Sequence, residues 1–200
     1  MYSYMVARAI GIYSAGTGLL GLVLSPWVRQ YIATDLDYLS HLIRKNITIN
    51  MPNIFRELEK CSGLKLSSNN ITVAALDWMQ LYQTTSASAR RNLFRLTNNS
   101  LDEESNSAIP RPFPDIIFVV DCIFNPALIP PLVETINHFS VGGHTKVVVA
   151  VELRSEEVIR DFLELWIGKG GWEVWRLGDY PIGECRLDIS FAVWIGMKVL

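Results

Sequence analysis

The chain has 200 residues, of which 50% are hydrophobic and 19% are charged, enough for one globular domain over residues 1–200. The 18 basic and 20 acidic residues leave a net charge of -2, so charge gives no reason to expect a nucleic acid or a membrane as partner. Three scattered cysteines exclude a disulfide framework and favour a reducing compartment, for which we expect the cytoplasm and also the nucleus.

The first predicted elements lie in residues 9–28, which carry no charge. Residues 9–13 are an apolar run, residues 14–18 form a glycine turn, and residues 19–24 begin a helix. The uncharged stretch is also long enough to cross a bilayer, so a membrane span over residues 11–28 is an alternative. Its glycines, its proline and the missing signal-peptide cleavage site favour a strand, a turn and a helix.

The middle of the chain alternates between strand and helix patterns. Residues 31–35, 71–76 and 116–120 are apolar runs that predict three strands, and residues 38–50 carry apolar side chains at helical spacing. The run at residues 116–120 is apolar throughout, as expected of a parallel strand covered on both sheet faces. Residues 98–112 are rich in Ser, Asn, Asp, Glu and Pro and predict a mobile surface insertion.

The last part of the chain completes this pattern. Residues 128–139 predict a helix with prolines near its start, residues 146–153 a fifth strand, and residues 156–167 another helix. Residues 172–177 and 187–195 predict two closing strands. They should form an antiparallel hairpin because the segment between them is not helical and a parallel connection needs a long crossover.

Five strands separated by helices, followed by a hairpin, predict a fold of the α/β class. The sheet should be doubly wound and mostly parallel, with right-handed crossovers. Ligands of such sheets bind at the carboxyl ends of the strands. The residues that follow each predicted strand are therefore the candidates for a site.

Two candidate cofactor-binding features follow the first and second strands. In the turn after the first strand, Ala15, Gly16 and Gly18 would let the backbone approach a ligand, although many glycine turns only connect a strand to a helix. Asp35 ends the second strand, where a carboxylate can accept both hydroxyls of a ribose. The alternative for Asp35 is an N-cap of the following helix, and Asp37 competes for either role.

A third candidate follows the third strand. Asp77 offers an acceptor for the exocyclic amine of an adenine, and the indole of Trp78 could stack on the ring. A core position is the alternative for Trp78, because most of the six tryptophans must serve packing.

The fourth strand is followed by Asp121 and, three residues later, Phe124. The end of this strand would suit an amine substrate. A lysine amine has an ordinary pKa of about 10.4 and needs a general base or a cation-tolerant pocket to lose its proton at neutral pH. The carboxylate of Asp121 and the ring of Phe124 could supply these, which makes them the candidate catalytic residues.

Together these motifs resemble the family-16 methyltransferases, seven-strand enzymes that methylate lysines of chaperones, ATPases and ribosomal proteins. The resemblance covers nearly the whole chain. Its segments are residues 14–21 as the cofactor loop, Ala33-Thr34-Asp35 as the ribose-binding strand end, residues 73–78 as the adenine-side motif, Asp121-Cys122-Ile123-Phe124 as the Asp-x-x-Tyr/Phe signature, and Val151-Glu152-Leu153-Arg154-Ser155 with Phe162 as the fifth strand and next helix. Residues 75–78 and 153–158 look closest to the fungal ribosomal-protein lysine methyltransferase branch.

The resemblance implies transfer of a methyl group from S-adenosylmethionine to a lysine of a protein substrate, without a metal and with the enzyme as a monomer. It implies that Gly16 and Gly18 approach the methionine part of the cofactor and that Ala15, in the same loop, is also cofactor-binding. It assigns the ribose to Asp35, the adenine to Asp77 and Trp78, and the incoming amine to Asp121 and Phe124.

Two departures from the family pattern lower the cofactor affinity that we expect. Ile12 and Ser14 stand where the family usually has an acidic residue and a glycine, so one polar anchor is replaced and the loop is stiffer. The chain also begins a few residues before the first strand, whereas family members carry a preceding helical segment, so we expect an N-terminally truncated fold. A methyltransferase-fold interaction protein without activity is therefore the second hypothesis.

Overall fold

The computed structural model of the chain describes residues 10–13, 16–63, 70–93, 113–178 and 190–199. Their strands are β1 (Ile10–Tyr13), β2 (Tyr31–Asp35), β3 (Ile71–Ala75), β4 (Ile116–Val120), β5 (Lys146–Glu152), β6 (Trp172–Arg176) and β7 (Phe191–Lys198). Their helices are α1 (Leu19–Leu24), α2 (Asp37–Ser62), α3 (Trp78–Gln83), α4 (Ala87–Leu93), α5 (Ile129–Phe139) and α6 (Glu156–Gly168), with short 3₁₀ turns at Ser25–Trp27 and Pro126–Leu128.

The seven described strands form one sheet in the order β3-β2-β1-β4-β5-β7-β6. Strands β1 to β5 pair in parallel, and β7 is antiparallel to both β5 and β6. The predicted α/β class and the antiparallel pairing of the closing strands are therefore confirmed. The position of β7 between β5 and β6 was not predicted. The last described strand is thus an inner strand of the sheet, and β6 lies at the edge.

Hydrophobic clusters cover the sheet on both faces. In β4, Ile117 and Val119 belong to a large cluster with α3, α5 and α6, whereas Ile116 and Phe118 pack against a smaller cluster with α1 and α2. Alternate residues of a strand point to opposite faces, so the two clusters lie on opposite sides of the sheet. Trp166 in α6 is among the largest side chains that are fully buried.

Three helices differ from the sequence predictions. Helix α2 continues to Ser62, past Pro52, because Met51, Ile54 and Phe55 extend the apolar stripe of its first half. Helices α3 and α4 were not predicted, since each has only six or seven residues and too few apolar positions to show a period. The predicted insertion at residues 98–112 lies outside the described residues.

The uncharged N-terminal stretch does not form one long helix where it is described. It contributes β1, the six-residue helix α1 and a 3₁₀ turn. In the described part of the chain, no helix has the length and apolar character needed to cross a bilayer.

Asn70 joins the start of β3 to the connection between α1 and β2. Its side-chain amide donates hydrogen bonds to the carbonyl oxygens of Ser25 at 2.6 Å and Val28 at 2.8 Å. The backbone carbonyl oxygen of Asn70 accepts from the backbone N–H of Tyr31 at 2.8 Å. One partly buried side chain thus holds the register of two neighbouring elements.

Glu134 on α5 joins three helical segments through charge. Its carboxylate accepts from Arg90 on α4 at 2.6 Å and from Lys169, directly after α6, at 3.0 Å. Burial alone would raise the pKa of the Glu134 carboxyl, but the hydrogen bonds and charges of Lys169 and Arg90 outweigh it and lower that pKa.

Candidate active site

The strand order places the carboxyl ends of β3, β2, β1 and β4 side by side. Asp35 pairs with Ala75 in the neighbouring strand, and Tyr13 pairs with both Thr34 and Val119. The segments that follow these four strands therefore leave the sheet at one edge. This edge carries the predicted site residues Gly16, Gly18, Asp35, Asp77, Trp78, Asp121 and Phe124, whereas Ala15 lies outside the described residues.

Asp35 connects the end of β2 to the turn after β1. One oxygen of its carboxylate accepts from the backbone N–H of Gly16 at 3.3 Å, and the other accepts from the backbone N–H of Leu36 at 2.9 Å. The side chain is nearly buried, with 9% exposed. Leu36 holds the N-cap position of α2, without a side-chain bond, so capping by Asp35 or Asp37 is not what the structure shows.

The two described glycines of the turn have different surroundings. Gly16 has a φ of 54°, and a Cβ at this position would meet no atom within 4 Å. Gly18 has a φ of 81°, is buried, and leaves room for α2, because a Cβ would lie 3.1 Å from Ile47 and 3.2 Å from Ile43. Gly16 therefore faces open space, whereas Gly18 allows close packing of two helices.

Asp77 and Trp78 form the start of α3. One carboxylate oxygen of Asp77 accepts from the backbone N–H groups of Met79 at 2.9 Å and Gln80 at 3.2 Å, which makes Asp77 the N-cap of this helix. Trp78 is partly buried and packs against the large hydrophobic cluster. Both residues thus have structural contacts in addition to their position at the site edge.

Asp121 directly follows β4 and has an unusual backbone. Its φ is 50°, a left-handed conformation that few residues other than glycine adopt. Its N–H donates to the carbonyl oxygen of Ala150 at 2.8 Å, which continues the pairing of β4 with β5 beyond Val120. Its side chain is 48% exposed. The Phe124 ring nearby in sequence is 60% exposed.

A cation that the sequence analysis did not single out for the site contacts Asp121. Arg154, two residues after β5, donates from Nη2 to Oδ2 of Asp121 at 3.0 Å and from Nε to Oε2 of Glu152 at 2.6 Å. The hydrogen bond that Arg154 donates to Glu152 and the negative charge of Asp121 raise the pKa of Arg154. The sequence feature that could have identified Arg154 was its position just after β5, the strand that pairs with β4.

The edge therefore combines two kinds of chemistry. Asp35 and Gly16 form a nearly buried acceptor beside a turn that faces open space. Asp121 and Phe124 present a carboxylate and an aromatic ring that solvent can reach. The first pair suits the hydroxyl groups of a ligand, and the second suits a cation or an amine.

No protein-family model matches this chain. Ribosomal lysine N-methyltransferase 5 of Vanderwaltozyma polyspora is 25% identical to it over 206 residues, which cover 92% of this chain and 60% of that protein. Ribosomal lysine N-methyltransferase 5 of Saccharomyces cerevisiae is 25% identical over 208 residues, which cover 89% of this chain and 54% of that protein. The chain thus spans less than two thirds of the length of these relatives.

Solved structures share the fold at low sequence identity. The ribosomal protein L11 methylase of Lactobacillus delbrueckii subsp. bulgaricus superposes with a TM-score of 0.54 at 9% identity, covering 99% of this chain and 72% of that one. An S-adenosylmethionine-dependent methyltransferase, SibL, gives 0.54 at 13% identity, covering 98% and 51%. The chain therefore has the Rossmann-like fold of S-adenosylmethionine-dependent methyltransferases, and over about nine-tenths of its length it is similar to ribosomal lysine N-methyltransferase 5, as the resemblance drawn from its sequence predicts.

Proposed function

We propose that this chain is an S-adenosylmethionine-dependent methyltransferase that acts on a lysine of a protein. The observation that carries the proposal is the link between the Asp35 carboxylate and the N–H of Gly16, at the same sheet edge as Asp121. Similarity to lysine methyltransferases over about nine-tenths of the chain supports the same reaction.

The residues at the ends of β1 and β2 fit the nucleoside part of S-adenosylmethionine. Each oxygen of the Asp35 carboxylate accepts one backbone N–H, and an ionised carboxylate has about four acceptor positions in all. Asp35 therefore has acceptor capacity left for the two ribose hydroxyls. Gly16 leaves open space where any other residue would place a Cβ.

On the adenine side we propose Asp77 and Trp78. In the loop we propose Gly16 and Gly18 for the methionine part, with Ala15 as a further cofactor-binding residue. Oδ1 of Asp77 caps α3, so the acceptor for the adenine amine would be Oδ2. The partly buried indole of Trp78 packs against the large hydrophobic cluster and would form one wall of the adenine side.

Bound S-adenosylmethionine would supply a methyl group on a sulfonium sulfur, an electrophile for the lone pair of an uncharged amine. The residues of the chain would position the amine and receive its proton. The Asp121 carboxylate accepts a hydrogen bond from the amine and, as the general base, takes up the proton, and the face of Phe124 tolerates the cation before that proton is lost.

The protein substrate that we propose is a ribosomal protein with an accessible lysine, because both relatives carry that name. Chaperones and ATPases are the other substrates that the family resemblance implies. We place the reaction in the cytoplasm and nucleus, in keeping with three cysteines too scattered for a disulfide framework. We expect the enzyme to act as a monomer.

The decisive experiment measures transfer of a labelled methyl group from S-adenosylmethionine to a ribosomal-protein fraction. The wild-type chain should label a protein band. Asp121→Asn should lower the rate by about 100-fold or more, since a positioned acid–base group contributes that much. Asparagine suits this test because it keeps the shape and tolerates the left-handed backbone.

Asp161→Asn is the matched control, because Asp161 is an exposed residue of α6. It should label as fast as the wild type. Equal labelling by Asp121→Asn would remove Asp121 from the mechanism. A wild-type chain that neither binds S-adenosylmethionine in calorimetry nor transfers label would be an interaction protein that keeps only the fold.

A further inference from the structure

Two carboxylates share one guanidinium where β4 and β5 end. Nη2 of Arg154 lies 3.0 Å from Oδ2 of Asp121 and 2.6 Å from Oε2 of Glu152. Nε of Arg154 also donates to Glu152 at 2.6 Å, so Glu152 holds the guanidinium by two nitrogens. We refer to Asp121, Arg154 and Glu152 as the charge triad.

The triad is partly open to solvent and carries one net negative charge. The exposed fractions of the side chains are 48% for Asp121, 54% for Arg154 and 37% for Glu152. Other described carboxylates near this edge come from the neighbouring elements: Asp35 at the end of β2, Asp77 after β3, and Glu156 and Glu157 in the first turn of α6. Arg154 is the cation that directly contacts Asp121.

This arrangement matters for an amine that must lose its proton. A carboxylate beside an ammonium favours the charged form and raises the pKa of the amine, whereas a neighbouring cation lowers it. If no cation offset the charge of Glu152, the two carboxylates would hold the substrate amine in its protonated form, which has no lone pair to accept a methyl group. Arg154 offsets that charge and binds only one of the two Asp121 oxygens, which leaves the other for the substrate.

We infer that Arg154 is a positioning residue which, anchored by Glu152, orients the Asp121 carboxylate and sets the pH at which the substrate lysine becomes uncharged. The inference rests on the proposed function, because it concerns the amine that Asp121 receives. It adds two residues, Arg154 and Glu152, to those proposed above. Neither needs to touch the cofactor.

The test is the pH dependence of methyl transfer at saturating S-adenosylmethionine. Arg154→Gln removes the cation, so the rate should rise only at a higher pH than in the wild type. Glu152→Gln removes a negative charge, so its profile should move to lower pH. Each shift should be about half a pH unit, the effect of one unit charge about 6 Å from the amine in water-like surroundings.

Arg154→Lys separates charge from geometry. It keeps the cation but cannot hold two carboxylates in the planar arrangement of a guanidinium. Its pH profile should stay within about 0.2 pH units of the wild type, because the charge is unchanged. Its kcat should fall by about 10-fold, because the Asp121 carboxylate is no longer fixed. KM for S-adenosylmethionine should remain the same in all three variants.

Arg160→Gln and Glu164→Gln on α6 are matched controls, since they make the same charge changes on exposed positions of one helix. Their profiles should follow the wild type. Profiles of Arg154→Gln and Glu152→Gln that do not move, or that move in the same direction, would overturn this inference while label transfer by the wild type upholds the proposed function. A wild-type chain without any transfer would overturn both.

Discussion

At the scale of single residues, Asp121 has a strained backbone at a position that we propose for catalysis. A left-handed φ of 50° is costly for a residue with a Cβ, and Asp tolerates it better than most side chains do. A carboxylate in this conformation leaves the line of β4 sharply and reaches Arg154 on the neighbouring segment. Glycine at this position would relieve the strain, whereas aspartate supplies the carboxylate that we propose for catalysis.

This strain predicts an unusual order of stability among Asp121 variants. Asp121→Ala should be about 1 kcal/mol less stable than Asp121→Gly, because alanine strains at positive φ and glycine does not. Both variants lose the same charge, so the ion pair cancels in the comparison. Urea unfolding followed by circular dichroism gives the free energies.

The matched comparison uses Asp161 within α6. There the order should reverse, with Asp161→Gly about 1 kcal/mol less stable than Asp161→Ala, since glycine is the poorer helix former. If Asp121→Gly were instead less stable than Asp121→Ala, the left-handed backbone of residue 121 would not be retained in solution.

Single residues also mark the limit of the sequence analysis. Asp35 and Asp121 can be recognised from the sequence, because polar residues at the ends of apolar runs are visible in a local window. The contact between Arg154 and Asp121, which are 33 residues apart, cannot. Such a contact depends on which strands become neighbours. The N-cap role of Asp77 was missed together with α3, the helix that it caps.

At the scale of elements, Asn70 holds β3 against the connection that precedes β2. Asn70→Ala should lower the free energy of unfolding by about 1–3 kcal/mol, because two partly buried carbonyl groups lose their donor. Thermal or urea unfolding measures the loss.

Asn50→Ala is the control for Asn70→Ala. The Asn50 amide donates to the carbonyl oxygen of Asn46 on the exposed side of α2. Its replacement should change stability by no more than about 0.5 kcal/mol. Equal effects of the two substitutions would contradict the structural role of Asn70.

The carboxylate of Glu134 predicts a pH-dependent contribution to stability. Its pKa is lowered in the folded protein, so its contribution is complete above the pKa in the unfolded chain and is lost as pH falls through the folded pKa. Glu134→Gln should be about 1 kcal/mol less stable than the wild type at pH 7. The difference should begin to shrink as pH falls below about 4.3, the ordinary pKa of a glutamate, and should vanish only below the lowered pKa of the folded protein, where the wild-type carboxyl is protonated as well.

Glu57→Gln on α2 is the control for that measurement. Glu57 pairs with Lys60 on the surface, where the side chains are 67% and 62% exposed. The substitution should cost about 0.3 kcal/mol at pH 7. A stability difference for Glu134→Gln that stayed constant from pH 7 to pH 3 would contradict a role for its charge.

Continuous apolar runs and regular apolar spacing made most elements predictable from the sequence, whereas short helices with few apolar positions were missed. The bounds of β4 and α1 agree with the prediction, and β5 differs from it by one residue. Helix α2 is longer than predicted: it passes through Pro52, and the buried side chain of Phe55 continues the packing. Tertiary contacts override a local helix-breaking signal in this case.

At the scale of the whole molecule, the alternation of strands and helices was sufficient to predict a mostly parallel sheet, in which the carboxyl ends of β1 to β4 lie at one edge. Consecutive segments with helical crossovers leave few other arrangements. The order of strands was not predictable, because pairing of β7 with both β5 and β6 depends on how their faces pack. The buried Trp166 of α6 beneath β7 illustrates this, since Gly196 in β7 leaves the space that its ring fills.

Cofactor binding should stabilise the whole domain. At a concentration 100 times its Kd, a ligand that binds only the folded state contributes about 2.7 kcal/mol. For 200 residues this raises the midpoint of thermal unfolding by about 5–10 °C. We expect this shift with S-adenosylmethionine and with its demethylated product, measured by differential scanning fluorimetry.

Asp35→Asn should reduce that shift by more than half at the same ligand concentration, whereas Asp161→Asn should not change it. Asparagine has fewer acceptor positions for the hydroxyl groups of a ribose. An unchanged shift in Asp35→Asn would separate Asp35 from the cofactor site.

The position of β7 has a consequence for synthesis of the protein. Among the seven described strands it is made last, yet it lies between β5 and β6. A nascent chain that has not yet reached residue 191 therefore exposes the unpaired edges of two strands, which are sites for aggregation and for capture by chaperones. Premature-stop products that lack this strand should accumulate as insoluble material, even though they contain every residue proposed for the reaction.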